Sequence, residues 1–510
     1  MNQQDLVKTL ELIKTAQQTA IPDEIAKAFT QSGSPTTGLT NYDLQAPALT
    51  IYPNLSPLRN KIPRVSGKGG TQATWKAITG INTGNTSMGL AEGKRSGIIS
   101  TKVSEYLASY KGLGLEDSVT FEAESAAEGF DDVRGRAVQG LLRSTMIGEE
   151  NVILGGNTSS ALGTTPTPSL ATATTGGTIA AAAAYSVICV ALGYDAYWAA
   201  IGTNNGNTGQ AFAVATSVIP GQITRTNADG TSDTYGGGSA QKSANATIAT
   251  TGSTSTVSAT VAPVIGAYGY AWFAGATAGT ETLQAVTSIN SVVLTSTVAG
   301  GQAASLLTAV DSSTNSLLFD GLLTQITKAG SGAYVKTLAT GTAGVGVGLT
   351  SDGAGGINEI DAAFNAYWQQ YRLSPDTIYV NSQELINANK KIIANGGAPI
   401  VRFNMDANAM NGNYSAGAVL GSYLNKITNQ LVKIEVHPTL PAGTMLFYSS
   451  SIPYSLSGVS NVLQIKTRRD YYQIEYPLRT RKYEYGVYMD EVLQNYFPPA
   501  FGIITNIANV

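Results

Sequence analysis

Between residues 151 and 310 the chain carries only six charged side chains, Asp195, Arg225, Asp229, Asp233, Lys242 and Glu281. Isolated surface helices need a polar, usually charged face, so this block has little to build them from. Its apolar residues fall instead in short alternating runs, AYSVICVAL, AFAVATSVI, STVSATVAPV, GYAWFAGAT, ETLQAVTSI and SVVLTSTV, separated by Gly, Ser, Thr and Asn. That spacing predicts a β-sandwich over residues 166–310, inserted between the segments on either side. The uncharged stretch 176–194 is made of Ala, Gly and small polar residues and ends at Asp195. Spanning a membrane takes about 20 strongly apolar residues, so a buried strand is the reading here.

Outside this block the patterning changes. Residues 1–59 read as an arm, with a short amphipathic helix through Leu6, Leu10 and Ile13 and then a Gly/Ser/Pro-rich tract. Residues 60–118 hold two strand-like runs around a glycine-rich tip, which predicts a long hairpin with little to bury at its end. From Phe130 to about Leu154 the apolar residues Phe130, Val133, Ala137, Leu141 and Val152 recur at helical spacing, and Gly155-Gly156 supplies a stop. The opposite face takes Asp132, Arg136, Gln139, Arg143 and Glu150, with Asp132 and Arg136 expected to pair. Residues 357–371 predict a second helix, 373–393 a strand, turn and helix, and the last hundred residues are rich in strands. The whole is an α+β chain.

The candidates for chemistry are few. One cysteine, Cys189, and one histidine, His437, in 510 residues leave no intrachain disulfide and no Cys/His zinc set. Cys189 sits in an apolar run and reads as a small buried hydrophobe. His437 precedes a proline at a strand end and reads as structural or solvent-facing. The carboxylate pairs Asp131-Asp132 and Glu149-Glu150 lie on the long helix, where neighbours point about 100° apart, and read as a solvated face. No phosphate-binding glycine motif is present. Net charge is −3, without the basic excess of a dedicated nucleic-acid binder. The basic residues Arg468, Arg469, Arg479, Arg481 and Lys482 read either as a patch facing enclosed nucleic acid or as contacts between subunits, and the nearby Asp470, Glu475, Glu484, Asp490 and Glu491 favour the second. No enzymatic activity, cofactor or metal is expected.

Several segments resemble the major capsid proteins of tailed bacteriophages, the Hong Kong 97-type fold. They are PNLSPLRNKIPRVSGKGG, WKAITGIN, GFDDVRGRAVQGLLRSTMIGEENVILGGN, FDGLLTQI, LSPDTIYVNSQE and YGVYMDEVLQNYFPPAFGIITNI, in that order. The resemblance covers roughly residues 40–160 and 311–510. It implies that 60–118 is an extended loop reaching over a neighbouring subunit. It further implies that 119–165 holds the spine helix of a peripheral domain, that 311–465 is mainly an axial domain, and that 466–510 closes the peripheral domain. The block 166–310 resembles an immunoglobulin or fibronectin III-like insertion.

The function so implied is a structural subunit. It assembles as hexamers and pentamers into an icosahedral head around double-stranded DNA, in the host bacterial cytoplasm, and ends in the virion. Scaffolding, portal and decoration proteins are the further partners, and no membrane is involved. Trp75, Lys94, Arg95, Arg136, Arg143, Arg479, Arg481 and Glu484 are the expected subunit contacts. No proteolytic maturation of the chain is expected. An encapsulin-type compartment is the alternative on the same fold, and a surface adhesin is the reading from another class. Excising the inserted block should spare assembly if its ends near Gly163 and Asp311 meet.

Overall fold

The computed structural model describes residues 56–67, 69–81, 89–128, 131–202, 219–297, 300–307, 309–394, 420–454 and 458–509. The expected N-terminal helix, the start of the long helix at Phe130, most of the AFAVATSVI run and part of the hairpin tip lie outside these residues. The chain divides into two units, residues 1–53 with 119–136, and residues 54–118 with 137–510.

In the first unit a helix spans Phe121–Ala127, capped by Thr120, whose Oγ1 accepts from the Ala123 amide at 3.2 Å. The long helix runs Val133–Gly155. Because it begins at Val133, Asp132 falls just before its first turn and its Oδ1 accepts from Gly135 N at 2.9 Å. That occupies the carboxylate expected to pair with Arg136, which pairs with Asp131 instead.

The second unit is built on two sheets sharing one core. A six-stranded sheet runs in the order Tyr334–Thr337, Gly502–Thr505, Met445–Tyr448, Thr377–Val380, Gln430–Val436, Ser422–Asn425. Helices Asn358–Tyr371 and Ser382–Ala394 form where the sequence predicts helices. The first turns Ile360, Phe364 and Tyr367 into the core and leaves Trp368 38% exposed. A four-stranded sheet runs Arg64–Ser66, Leu463–Glu475, Lys482–Asn495, Lys111–Thr120. Two expectations change here. The strand Lys111–Thr120 belongs to this sheet rather than to the hairpin, and Gly502–Thr505 does not stay with the closing strands but enters the six-stranded sheet. Its residues Ile503 and Ile504 are fully buried, and that burial places the strand.

The hairpin itself forms as expected. Gln72–Ile81 pairs antiparallel with Thr101–Ser109, in a register from Gln72 opposite Ser109 to Ile81 opposite Thr101.

The charge-poor block folds into a three-stranded sheet (Ser291–Leu294, Thr256–Thr260, Ser169–Ala173) and a four-stranded one (Thr282–Thr287, Gly269–Gly275, Ala182–Leu192, Ala246–Thr250). One face of the four-stranded sheet, with Val187, Cys189, Tyr270 and Trp272, packs with Val257, Ala259, Val292 and Leu294 of the three-stranded sheet. Its other face, with Ile188, Val190, Leu192 and Phe273, packs on Tyr197, Ala200 and Ile201 of the helix Tyr194–Gly202. The two central strands are therefore covered on both sides, which is why AYSVICVAL and GYAWFAG read as nearly continuous apolar runs. The uncharged stretch is thus a buried strand, and Cys189 is fully buried.

The ends of the block meet, since Gly163 N donates to Asp311 Oδ2 at 2.9 Å and Leu162 N to Ser313 Oγ at 2.8 Å. The block is nonetheless keyed into the body. Tyr194 and Tyr268 belong to the main core, Trp198 Nε1 donates to Thr439 O at 3.0 Å, and Asn290 and Asn506 bond each other through buried amides. No Cβ fits at Gly155, because the Tyr194 ring lies there.

Candidate assembly interface

A small helix, Pro57–Lys61, leads the described chain into the body, and Ser56 before it gives no side-chain cap. Its unpaired amides are taken by a residue far along the chain. Glu150 Oε1 accepts from Leu58 N at 2.9 Å and Oε2 from Arg59 N at 2.7 Å. A carboxylate there also meets the positive end of the helix dipole. Glu150 is held in turn by His437, whose Nε2 lies 2.7 Å from Oε1. The backbone amide of Thr439 points at His437 Nδ1 at 3.3 Å, and an amide only donates, so Nδ1 accepts and the proton sits on Nε2. The single histidine is therefore structural, and at 1% exposure it is not solvent-facing.

Beside it Glu149 receives Arg59 Nε at 2.7 Å, a second bond from Arg64, and the Tyr471 hydroxyl. Arg64 spans on to Glu491 at 3.0 Å and Asp470 at 2.9 Å. Both arginines also lie over the Tyr471 ring, at 5.2 and 5.1 Å from its centroid. Burial opposes the Arg64 charge, but the carboxylates of Glu149 and Glu491 outweigh it and hold its pKa above the ordinary value. Glu491 moves up from the usual carboxylate range, first through burial and then through the charge of Glu149, with Arg64 offsetting part of it. The reading of Glu149-Glu150 as a solvated pair is thus overturned, since both are 1% exposed. The helix C-terminal turns run into the core at Ile153 and Leu154, and their neighbours go in with them. The signal was present locally in the apolar Val152-Ile153-Leu154 that follows. The partners Arg59 and Arg64 lie 90 and 85 residues upstream, where no local pattern announces them.

The raised pKa of Glu491 has a consequence for stability. A carboxyl whose folded pKa is raised contributes stability at low pH that is lost as pH climbs through that value. Glu491→Gln removes the titration, so the variant should gain on the wild type in thermal midpoint as pH rises from 6 to 9. A difference independent of pH over that range would refute the assignment.

The expected contact residues fall in separate places. Trp75 anchors the root of the hairpin, donating from Nε1 to Asn495 O at 2.9 Å and stacking on Tyr106 with centroids 5.8 Å apart. Lys94 and Arg95 lie on the exposed segment beyond the hairpin strands. Arg136 and Arg143 belong to the long helix, Arg143 on its exposed side. Arg479 and Arg481 are exposed in the turn between Leu463–Glu475 and Lys482–Asn495, where Glu484 takes Lys482 at 2.7 Å. Arg468 is paired within the chain, to Asp490 at 2.9 Å, and Arg469 lies 4.1 Å from the centroid of the Tyr472 ring.

The hairpin and the segment beyond it carry several exposed apolar side chains. Ile78 is 70% exposed, and Val103 and Leu107 on the opposing strand are similarly open. Beyond the strands Leu90 and Ile99 are more than half exposed and Ile98 is 95% exposed. Apolar side chains scattered singly on a surface are ordinary, but six within one hairpin and its adjoining segment are not. A ribbon with no core of its own is stable only against another surface.

No known family matches the chain by sequence, and no curated protein matches it. Among solved structures it is similar to the capsid of a native GTA particle, at 9% identity and TM-score 0.40 over 94% of this chain and 100% of that one. It is similar to the capsid of Myoviridae Phage XM1, at 10% identity and TM-score 0.41 over 91% and 97%. It is also similar to the SrpI encapsulin complex from Synechococcus elongatus PCC 7942, at 13% identity and TM-score 0.23 over 38% and 57%.

Proposed function

We propose that the chain is a structural, non-enzymatic shell subunit, a major capsid protein of the Hong Kong 97 type. It assembles as hexamers and pentamers into an icosahedral head enclosing double-stranded DNA. The observation that carries this reading is the hairpin. Ile78, Leu90, Ile98, Ile99, Val103 and Leu107 are exposed in the single chain, and contact with neighbouring copies would cover them. Many modest contacts repeated around a closed shell add cooperatively, and no single one has to be strong. Scaffolding, portal and decoration proteins are the accessory partners of such a head.

The test is negative-stain electron microscopy and sedimentation of the purified chain, expressed with and without the other head proteins of its source. Closed shells, or rings of five and six, are the expected result. Nuclease-protected DNA inside shells made in the source supports a virus head, whereas protein cargo in its place would indicate a compartment. A chain that stays monomeric in every combination overturns the reading.

A further inference from the structure

One buried oxygen in the cluster around Glu149 has no donor. Glu491 is 0% exposed, and while its Oε2 takes Arg64 at 3.0 Å, its Oε1 receives no hydrogen bond from any described residue. An ionised oxygen buried in that state is costly, because nothing replaces the water it has lost. The carboxyl within hydrogen-bonding reach of Glu491 is that of Glu149, which is another acid. Two carboxyl groups share a buried site by keeping a proton between them. Glu149 has room to accept it. A carboxylate offers about four lone-pair sites, and three donors use them here, Arg59 Nε, Arg64 Nη1 and the Tyr471 hydroxyl. These donors occupy both oxygens of Glu149, so the proton sits on Glu491. The charged groups around the pair are Arg59 and Arg64 from the entering segment, Asp470 from Leu463–Glu475, and Glu150 with His437 behind Glu149. On the strand of Glu491 itself, Asp490 is taken by Arg468.

The pair joins two long elements. Glu149 stands on the helix Val133–Gly155, and Glu491 on the strand Lys482–Asn495, opposite Thr467. At that point the facing strand Leu463–Glu475 slips register twice, between Thr467 and Arg469 and between Arg469 and Tyr472. Bulges of this kind bend a strand and re-aim its side chains. The re-aimed residues include Asp470 and Tyr471, which reach Arg64 and Glu149. We infer that Glu491 is a neutral acid donating to Glu149, and that this proton fastens the long helix to the bulged strands, making the joint between them sensitive to pH. When the proton leaves, two carboxylates face each other across the joint and it loosens. Burial first, and then the charge of Glu149, hold the proton above the usual carboxylate range. An opened joint returns the carboxyl to that range and releases the proton. Opening therefore becomes easier as pH rises, until the closed form loses its proton too. The inference concerns the single chain and does not rest on the shell reading.

Glu491→Gln copies the neutral acid, with an amide N–H to give to Glu149 and an oxygen for Arg64, so it should fold and stay fastened at every pH. Infrared spectra of the full chain in heavy water read the proton through the carbonyl stretch of an un-ionised carboxyl. Wild type minus variant should show one such band at about pH 6.5, about two units above the ordinary glutamate value, and the band should fade as pH is raised. No band at that pH overturns the inference. Amide exchange then reads the joint. Protection of residues 467–472 and 489–492, corrected for the intrinsic rate, should fall in the wild type by up to about tenfold per pH unit while the proton is held. In the variant it should not change with pH. Wild-type protection that is independent of pH overturns the joint, and that measurement decides the matter even if the variant fails to fold.

Discussion

Replacing residues 78–103 by Asn-Gly is expected to abolish shell formation while leaving the isolated subunit folded. The cut joins Ala77 to Ser104, which already face each other in the hairpin register, through a two-residue turn of the kind that suits antiparallel strands. Trp75, Tyr106 and their bond to Asn495 stay, so the root keeps its anchor. What is lost is the apolar set at Ile78, Leu90, Ile98, Ile99 and Val103, each more than half exposed in the single chain. Thermal midpoint should therefore change little. Sedimentation should lose the shell peak entirely, and electron micrographs should show no closed particles. Particles of ordinary size from this variant would remove the hairpin from assembly and with it the main support for the proposed function.

That prediction rests on a part of the molecule that the sequence announces well. Hairpin pairing follows from local alternation and glycine punctuation, both short-range signals. The helix Asn358–Tyr371 and the strand–helix step Thr377–Val380 to Ser382–Ala394 are legible for the same reason, because each is decided by residues a few positions apart. The inserted block is half legible. Its strands appear as apolar runs, but a strand covered on one face and a strand covered on both differ by what packs from outside, and the helix at Tyr194–Gly202 supplies that second cover. Least legible is anything decided by a distant partner. Glu149 and Glu150 look like solvent-facing charges on a helix until Arg59, Arg64, His437 and Tyr471 arrive from elsewhere in the chain. The strand Gly502–Thr505 likewise gives no local hint that it lies between Tyr334–Thr337 and Met445–Tyr448.

The distant partners give the second large effect. Glu150→Ala is expected to destabilise the subunit by roughly 3–5 kcal/mol, because it removes the one acceptor shared by several buried donors. Three donors lose their acceptor at once, the amides of Leu58 and Arg59 and His437 Nε2, and a buried donor without a partner costs about 1–3 kcal/mol. Against a total stability of about 5–15 kcal/mol for a typical domain, a loss of that size leaves little margin. The damage should be directed as well as large, because Glu150 stands in for the cap that Ser56 does not provide. Urea unfolding of the unassembled chain should show the lower midpoint, and limited proteolysis should cut first near residues 57–66. Glu150→Gln, whose single oxygen can keep the two donors that share Oε1, Leu58 N and His437 Nε2, should fall between the wild type and Glu150→Ala. His437→Ala separates the roles, since it removes the histidine bond but leaves both helix amides capped. It should cost less than Glu150→Ala and leave 57–66 protected. Equal losses in the two variants would mean that the helix capture contributes nothing of its own.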